Sequence, residues 1–121
     1  MKQSTLRIAI IILALTTAVV HLAIGVGGIA AGRLDTFNIL FVLNGLGFIG
    51  LLLALFAPNF PFFSSNRGLA HFLMIGFAAV TFVLYFVFNG WTVTGMSVAA
   101  IVAKLAELLL VIATFLHLRA Q

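Results

Sequence analysis

The chain has 121 residues, of which 64% are hydrophobic and only 7% charged. Soluble domains carry about 25% charged residues, so the composition is that of a membrane protein. Six basic residues against Asp35 and Glu107 give a formal net charge of +4, but they form no basic stripe and nucleic acid is not expected as a partner; the lack of cysteine excludes disulfides, thiolate chemistry and cysteine-based metal sites.

Four apolar runs lie at about 7–31, 37–57, 68–89 and 96–118. At about 1.5 Å per residue, each is long enough to cross a hydrocarbon core of about 30 Å. The first follows Lys2 and Arg7 and exceeds the 7–15 apolar residues of a signal peptide, so it is expected to remain as a span. Its Ala14, Thr17, Ala18, His21, Gly25, Gly28 and Gly32 recur at helical spacing on one face. "GRLDT" then turns the chain into the second run, where Asn44 aligns with Gly47 and, slightly round the helix, with Gly50 and Ala54. "APNFPFFSSNRG" follows, with Phe60, Phe62 and Phe63 placed as a loop lying against lipid headgroups. The third run carries His71, Ala78, Thr81 and Tyr85 on one stripe. Beyond "NGWTVTG", the fourth aligns Ser97, Ala100, Lys104, Glu107, Val111 and Thr114.

Every run thus gathers its small and polar residues on one side. In lipid, small residues let helix backbones approach, which makes Gly25, Gly28, Gly32, Gly47 and Gly50 the expected helix-packing positions. Short connections make sequential helices antiparallel neighbours. The expected fold is all-α, a single integral membrane domain over 1–121 built as an up-down-up-down four-helix bundle. Lys2, Arg7, Arg67 and Arg119 fall at one end and Arg33 at the other, so the positive-inside rule places both termini in the cytoplasm.

Depth along the helices picks out a layer. At 1.5 Å per residue from the cytoplasmic ends, His21, Asn44 and Lys104 lie roughly 20–21 Å up, Glu107 roughly 17 Å and Tyr85 roughly 25 Å. These five residues are expected to form a buried polar site in the outer half of the bundle. A charge at a helix centre costs about 2.5–3.5 kcal/mol, so Lys104 and Glu107 need partners, beginning with each other three residues apart. The structural alternative is a pair that only fixes helix register, or a Lys104 that snorkels to the interface. Asn44 alone is accounted for by a bond to a neighbouring helix, and Tyr85 by an interfacial position.

His71 and His117 lie near the cytoplasmic face and read as interfacial residues. No metal site or cofactor is expected. Axial ligation of one haem by His21 and His71 is disfavoured by their depth difference of roughly 16 Å. The matched depths of His71 and His117 leave a haem or metal at the cytoplasmic face as the alternative.

The stretches "VHLAIG" at 20–25, "LNGLGF" at 43–48 and "KLAE" at 104–107, with the glycine-rich first helix and four spans, resemble small four-helix bacterial and archaeal membrane proteins of unknown function. In layout the chain is similar to DoxX-like proteins, a likeness that carries over no functional residue. The functional expectation is a non-enzymatic accessory or self-associating subunit of a larger membrane assembly, with lipid and other membrane proteins or copies of itself as partners. The alternative is a small proton-coupled transporter or proton-conducting protein using His21 and Glu107. A membrane enzyme or cofactor carrier ranks third.

Overall fold

The computed structural model describes residues 2–57 and 67–121. The loop assigned above to Phe60, Phe62 and Phe63 lies outside the described residues. Among the described residues there are four helices: α1 (Gln3–Ala30), α2 (Thr36–Phe56), α3 (Arg67–Asn89) and α4 (Val98–Arg119). All four are long and apolar enough to cross a membrane.

Local chemistry sets the helix ends. α1 stops where Gly32 adopts φ +87°, a left-handed conformation that only glycine enters without strain. The Gly32 amide donates to the Ile29 carbonyl at 3.0 Å and the Arg33 amide to the Gly28 carbonyl at 2.9 Å. This Schellman pairing satisfies carbonyls that the ended helix leaves open. Asp35 then caps α2, its side chain accepting from the Asn38 amide at 2.9 Å. Ser97 does the same for α4, accepting from the Ala100 amide at 3.1 Å. Ser97 is therefore the cap of the fourth helix as well as the first member of its stripe.

α1 contacts α2 and α4, and α3 contacts α4 and α2, which puts α1 diagonally across from α3 and α2 across from α4. Each helix runs antiparallel to its sequence neighbour. Lys2, Arg7 and Arg119 therefore collect at the end holding both termini, where the Gln3 side chain donates to the Ala120 carbonyl at 2.5 Å. Arg33 belongs to the α1–α2 connection at the opposite end.

The interior is made of small residues with a few large ones wedged between them. Ala14, Ala18, Ala54, Ala70, Ala78 and Ala113 are buried together with Ile10, Phe48, Met74 and Leu110. The bulky aliphatic and aromatic side chains point outward instead, among them Ile12, Val19, Phe72, Val80 and Leu105, each more than half exposed. In water such a surface would aggregate; against lipid it is the complementary one.

Close approach of α1 and α2 depends on three glycines. A Cβ on Gly25 would lie 2.7 Å from the Asn38 carbonyl oxygen and 2.9 Å from the Val42 amide nitrogen. One on Gly28 would meet the Asn38 side-chain amide. One on Gly45, a position outside the expected packing set, would lie 2.9 Å from the Ala18 carbonyl oxygen. Gly47 faces α3, where a Cβ would lie 2.5 Å from the Phe77 ring. Two of the expected packing glycines have other roles. Gly32 is a turn residue, and Gly50 points where a Cβ would meet nothing within 4 Å. The stripe on α2 is narrower than its small residues imply, because Gly50 lies beyond the arc that α1 and α3 cover.

Candidate functional site

The charged centre is built from α1 and α4. Lys104 and Glu107, one turn apart on α4, are 6% and 0% exposed. Lys104 Nζ donates to Glu107 Oε1 at 2.6 Å. The other carboxylate oxygen, Oε2, accepts from Thr17 Oγ1 of α1, also at 2.6 Å. Both carboxylate oxygens therefore have a strong donor, which is what a buried anion requires.

His21 lies one turn beyond Thr17. Its Nδ1 is 2.7 Å from the Thr17 carbonyl and 3.2 Å from the Thr17 hydroxyl. A carbonyl only accepts, so Nδ1 carries the proton in this arrangement. Nε2 then faces Glu107 Oε2 at 3.9 Å, near but not bonded. The His21 ring is held by Phe41 and Phe48 of α2, with centroids 5.7 and 6.4 Å away.

α2 and α3 join through Thr81. Lys104 Nζ reaches the Thr81 carbonyl at 3.4 Å, and Asn44 Nδ2 donates to Thr81 Oγ1 at 2.7 Å. The Tyr85 ring lies 5.1 Å from Lys104 Nζ, a cation–π distance, so Tyr85 meets the ammonium with its face and not its hydroxyl. The five expected site residues are thus placed at one level, in two linked sets. His21, Lys104 and Glu107 form one with Thr17, and Asn44 joins it through Thr81. Tyr85 adds its ring.

Two members of this cluster were legible only as stripe positions. Thr17 shares the stripe of His21, and Thr81 that of Tyr85, but periodicity alone does not mark either as a site residue. Their hydroxyls and carbonyls are nevertheless the atoms that connect the helices.

Above the cluster, toward the α1–α2 and α3–α4 connections, a partly enclosed cavity of about 270 Å³ opens between all four helices. Its walls include Leu40, Phe37, Phe41, Leu84 and Phe88, and His21, Asn44, Thr81 and Lys104 also line it. On the opposite side of the cluster the bundle is filled by Ile10, Ala14, Phe48, Met74, Ala78 and Leu110, each fully buried.

A second polar pair lies near the termini. His71 Nε2 and His117 Nδ1 are 2.8 Å apart, and the rings stack at 15° with centroids 5.0 Å apart. Both are buried between the helices at the end of the bundle that holds the termini. Phe56 packs edge-on against His117. Two nitrogens sharing a tetrahedral ion at about 2.0–2.1 Å each stand about 3.3 Å apart. The observed separation is shorter and is that of a hydrogen bond, in which one ring donates and the other accepts.

A family model matches residues 2–117, nearly the whole chain. The chain belongs to the DUF7475 family. The function of DUF7475 is unknown. The match spans all four helices and every residue of the cluster, and it brings no link to the DoxX-like layout. No curated protein and no solved structure matches the chain.

Proposed function

We propose that this DUF7475 protein is a non-enzymatic, multi-pass membrane protein that acts as an accessory component of a larger membrane assembly by holding a membrane-soluble molecule in its cavity. The observation that carries this reading is one-sidedness. The cavity leads to Lys104 and His21 from one end of the bundle, and the packed core from Ile10 to Leu110 closes the other. A site reached from one side favours binding over passage. The outward apolar surface suits lipid and partner helices alike.

Reconstituted alone into liposomes holding a pH-sensitive dye, the protein is expected to give no proton flux above that of protein-free vesicles. After mild extraction it is expected to co-purify with a larger membrane protein, or with further copies of itself, at a fixed ratio. A second reading is favoured by the 3.9 Å approach of His21 Nε2 to Glu107 Oε2, which suits proton exchange between them. A flux abolished by Glu107→Gln would establish that reading in place of the first.

The same proposal places both termini in the cytoplasm, because Lys2, Arg7 and Arg119 share one end of the bundle and Arg33 the other. The chain has no cysteine, so one introduced at Thr94, in the α3–α4 connection, is a unique label site. In sealed cells it should react with an impermeant maleimide from outside, while a cysteine at Gln121 should not. Labelling at Gln121 alone would invert the topology.

A further inference from the structure

We infer that the cavity takes an uncharged, hydroxyl-headed lipid or long-chain alcohol, its head seated between Lys104 and Asn44. This rests on the binding role proposed above and names its ligand class.

Three observations bear on the head. First, the charges of the site already balance. Lys104 is paired with Glu107, and the rest of the lining is neutral side chains plus His21. A carboxylate or ammonium brought into this space would be a third charge with no partner, in surroundings where an unpaired ion is expensive. Second, hydrogen-bonding capacity is left over. Asn44 Oδ1 is buried and has no partner among the described residues. An ammonium has three N–H donors; Lys104 directs one to Glu107 and one, at 3.4 Å, to the Thr81 carbonyl, and the third, beside the face of the Tyr85 ring, has no oxygen acceptor among the described residues. Third, the two side chains converge, since both line the cavity and both bond to Thr81, Asn44 to its hydroxyl and Lys104 to its carbonyl. A hydroxyl donates one hydrogen bond and accepts others, so a single hydroxyl seated between the two side chains can serve both.

The cavity walls set the rest of the molecule. Phe37, Phe41, Leu84 and Phe88 offer only apolar surface to it. A cavity of 150 Å³ accommodates benzene, so the 270 Å³ here has room for roughly ten carbons. A longer chain continues through the open side of the cavity.

The test uses the full chain in nanodiscs, with 1-decanol, decanoate, decylamine and decane as probes at equal mole fraction in lipid. Decanol should raise the melting temperature with saturable dependence on concentration, and the other three should give at most a tenth of its apparent affinity. Asn44→Leu should weaken decanol about tenfold and leave decane unchanged. Should Asn44→Leu fold poorly, Ala100→Phe, which fills the cavity from α4, should abolish the decanol effect. Tighter binding of decanoate or decylamine would overturn the ligand class while leaving a binding role intact. A decanol response equal in Ala100→Phe and the unaltered protein would overturn the site. No response to any probe would overturn the ligand class, and the separate flux and co-purification experiments would then decide the binding role.

Discussion

Glu107→Gln is expected to destabilise the folded bundle by about 3–5 kcal/mol, and Lys104→Met by a similar amount, whereas the double replacement should cost less than either. With Gln at 107 the Lys104 ammonium keeps a hydrogen-bond acceptor but loses its counter-charge at a place where it is only 6% exposed. With Met at 104 the carboxylate keeps Thr17 but loses the cation at 2.6 Å. Removing both leaves a neutral amide bonded to Thr17 and an apolar chain beneath Tyr85, with no charge to compensate. Denaturation in detergent, followed by circular dichroism, measures all three. Single variants that both melt like the unaltered protein would mean that the two charges are not coupled. A double variant that folds but no longer co-purifies with its partner would separate the role of the site from its contribution to stability.

Gly25→Leu should be nearly as damaging, about 3 kcal/mol or more, because the atoms it would strike are largely backbone. Overpacking costs about 1–3 kcal/mol where side chains can move aside. Here the new Cβ would meet the Asn38 carbonyl and the Val42 amide, so α2 itself has to shift. Gly50→Leu and Ile12→Leu are the controls. A Cβ on Gly50 meets nothing within 4 Å, and Ile12 is 58% exposed. Both should melt within about 0.5 kcal/mol of the unaltered protein, as surface changes do. Equal damage at all three positions would remove close α1–α2 approach as the source of stability.

The helices were readable from the sequence because length and hydropathy alone determine whether a segment can span lipid. The polar layer was readable because helical periodicity and rise fix both face and depth, and His21, Lys104 and Glu107 differ little in either. What periodicity does not carry is the choice of hydrogen-bond partner. Thr16 and Thr17 are adjacent and chemically identical. Thr16 bonds back to the Ile12 carbonyl of its own helix at 2.7 Å, as threonines in lipid often do, while Thr17 reaches across to Glu107. Only the position of α4 separates the two cases. Gly32 misled for a related reason, since it continues the spacing of Gly25 and Gly28 although the helix has already ended at Ala30. Its place in "GRLDT" was the better guide. His71 and His117 share a depth that the sequence did give, but their burial depends on how far α3 and α4 close over them, which no single helix records.

The distribution of partners around Glu107 and Lys104 also bears on how helices of this length and hydropathy would enter a bilayer during synthesis. The two charges belong to α4, and the groups that bond them from other helices, Thr17 on α1 and Thr81 on α3, precede it in the chain and emerge from the ribosome first. By the time α4 reaches the translocon, the α1–α2 hairpin closed by Gly25, Gly28 and Gly45 is available to receive it. The polar segment need never equilibrate alone with hydrocarbon; it can partition directly from the insertion machinery into a waiting protein groove. Placing both ions after their partners in the chain makes chain order part of how this bundle tolerates them.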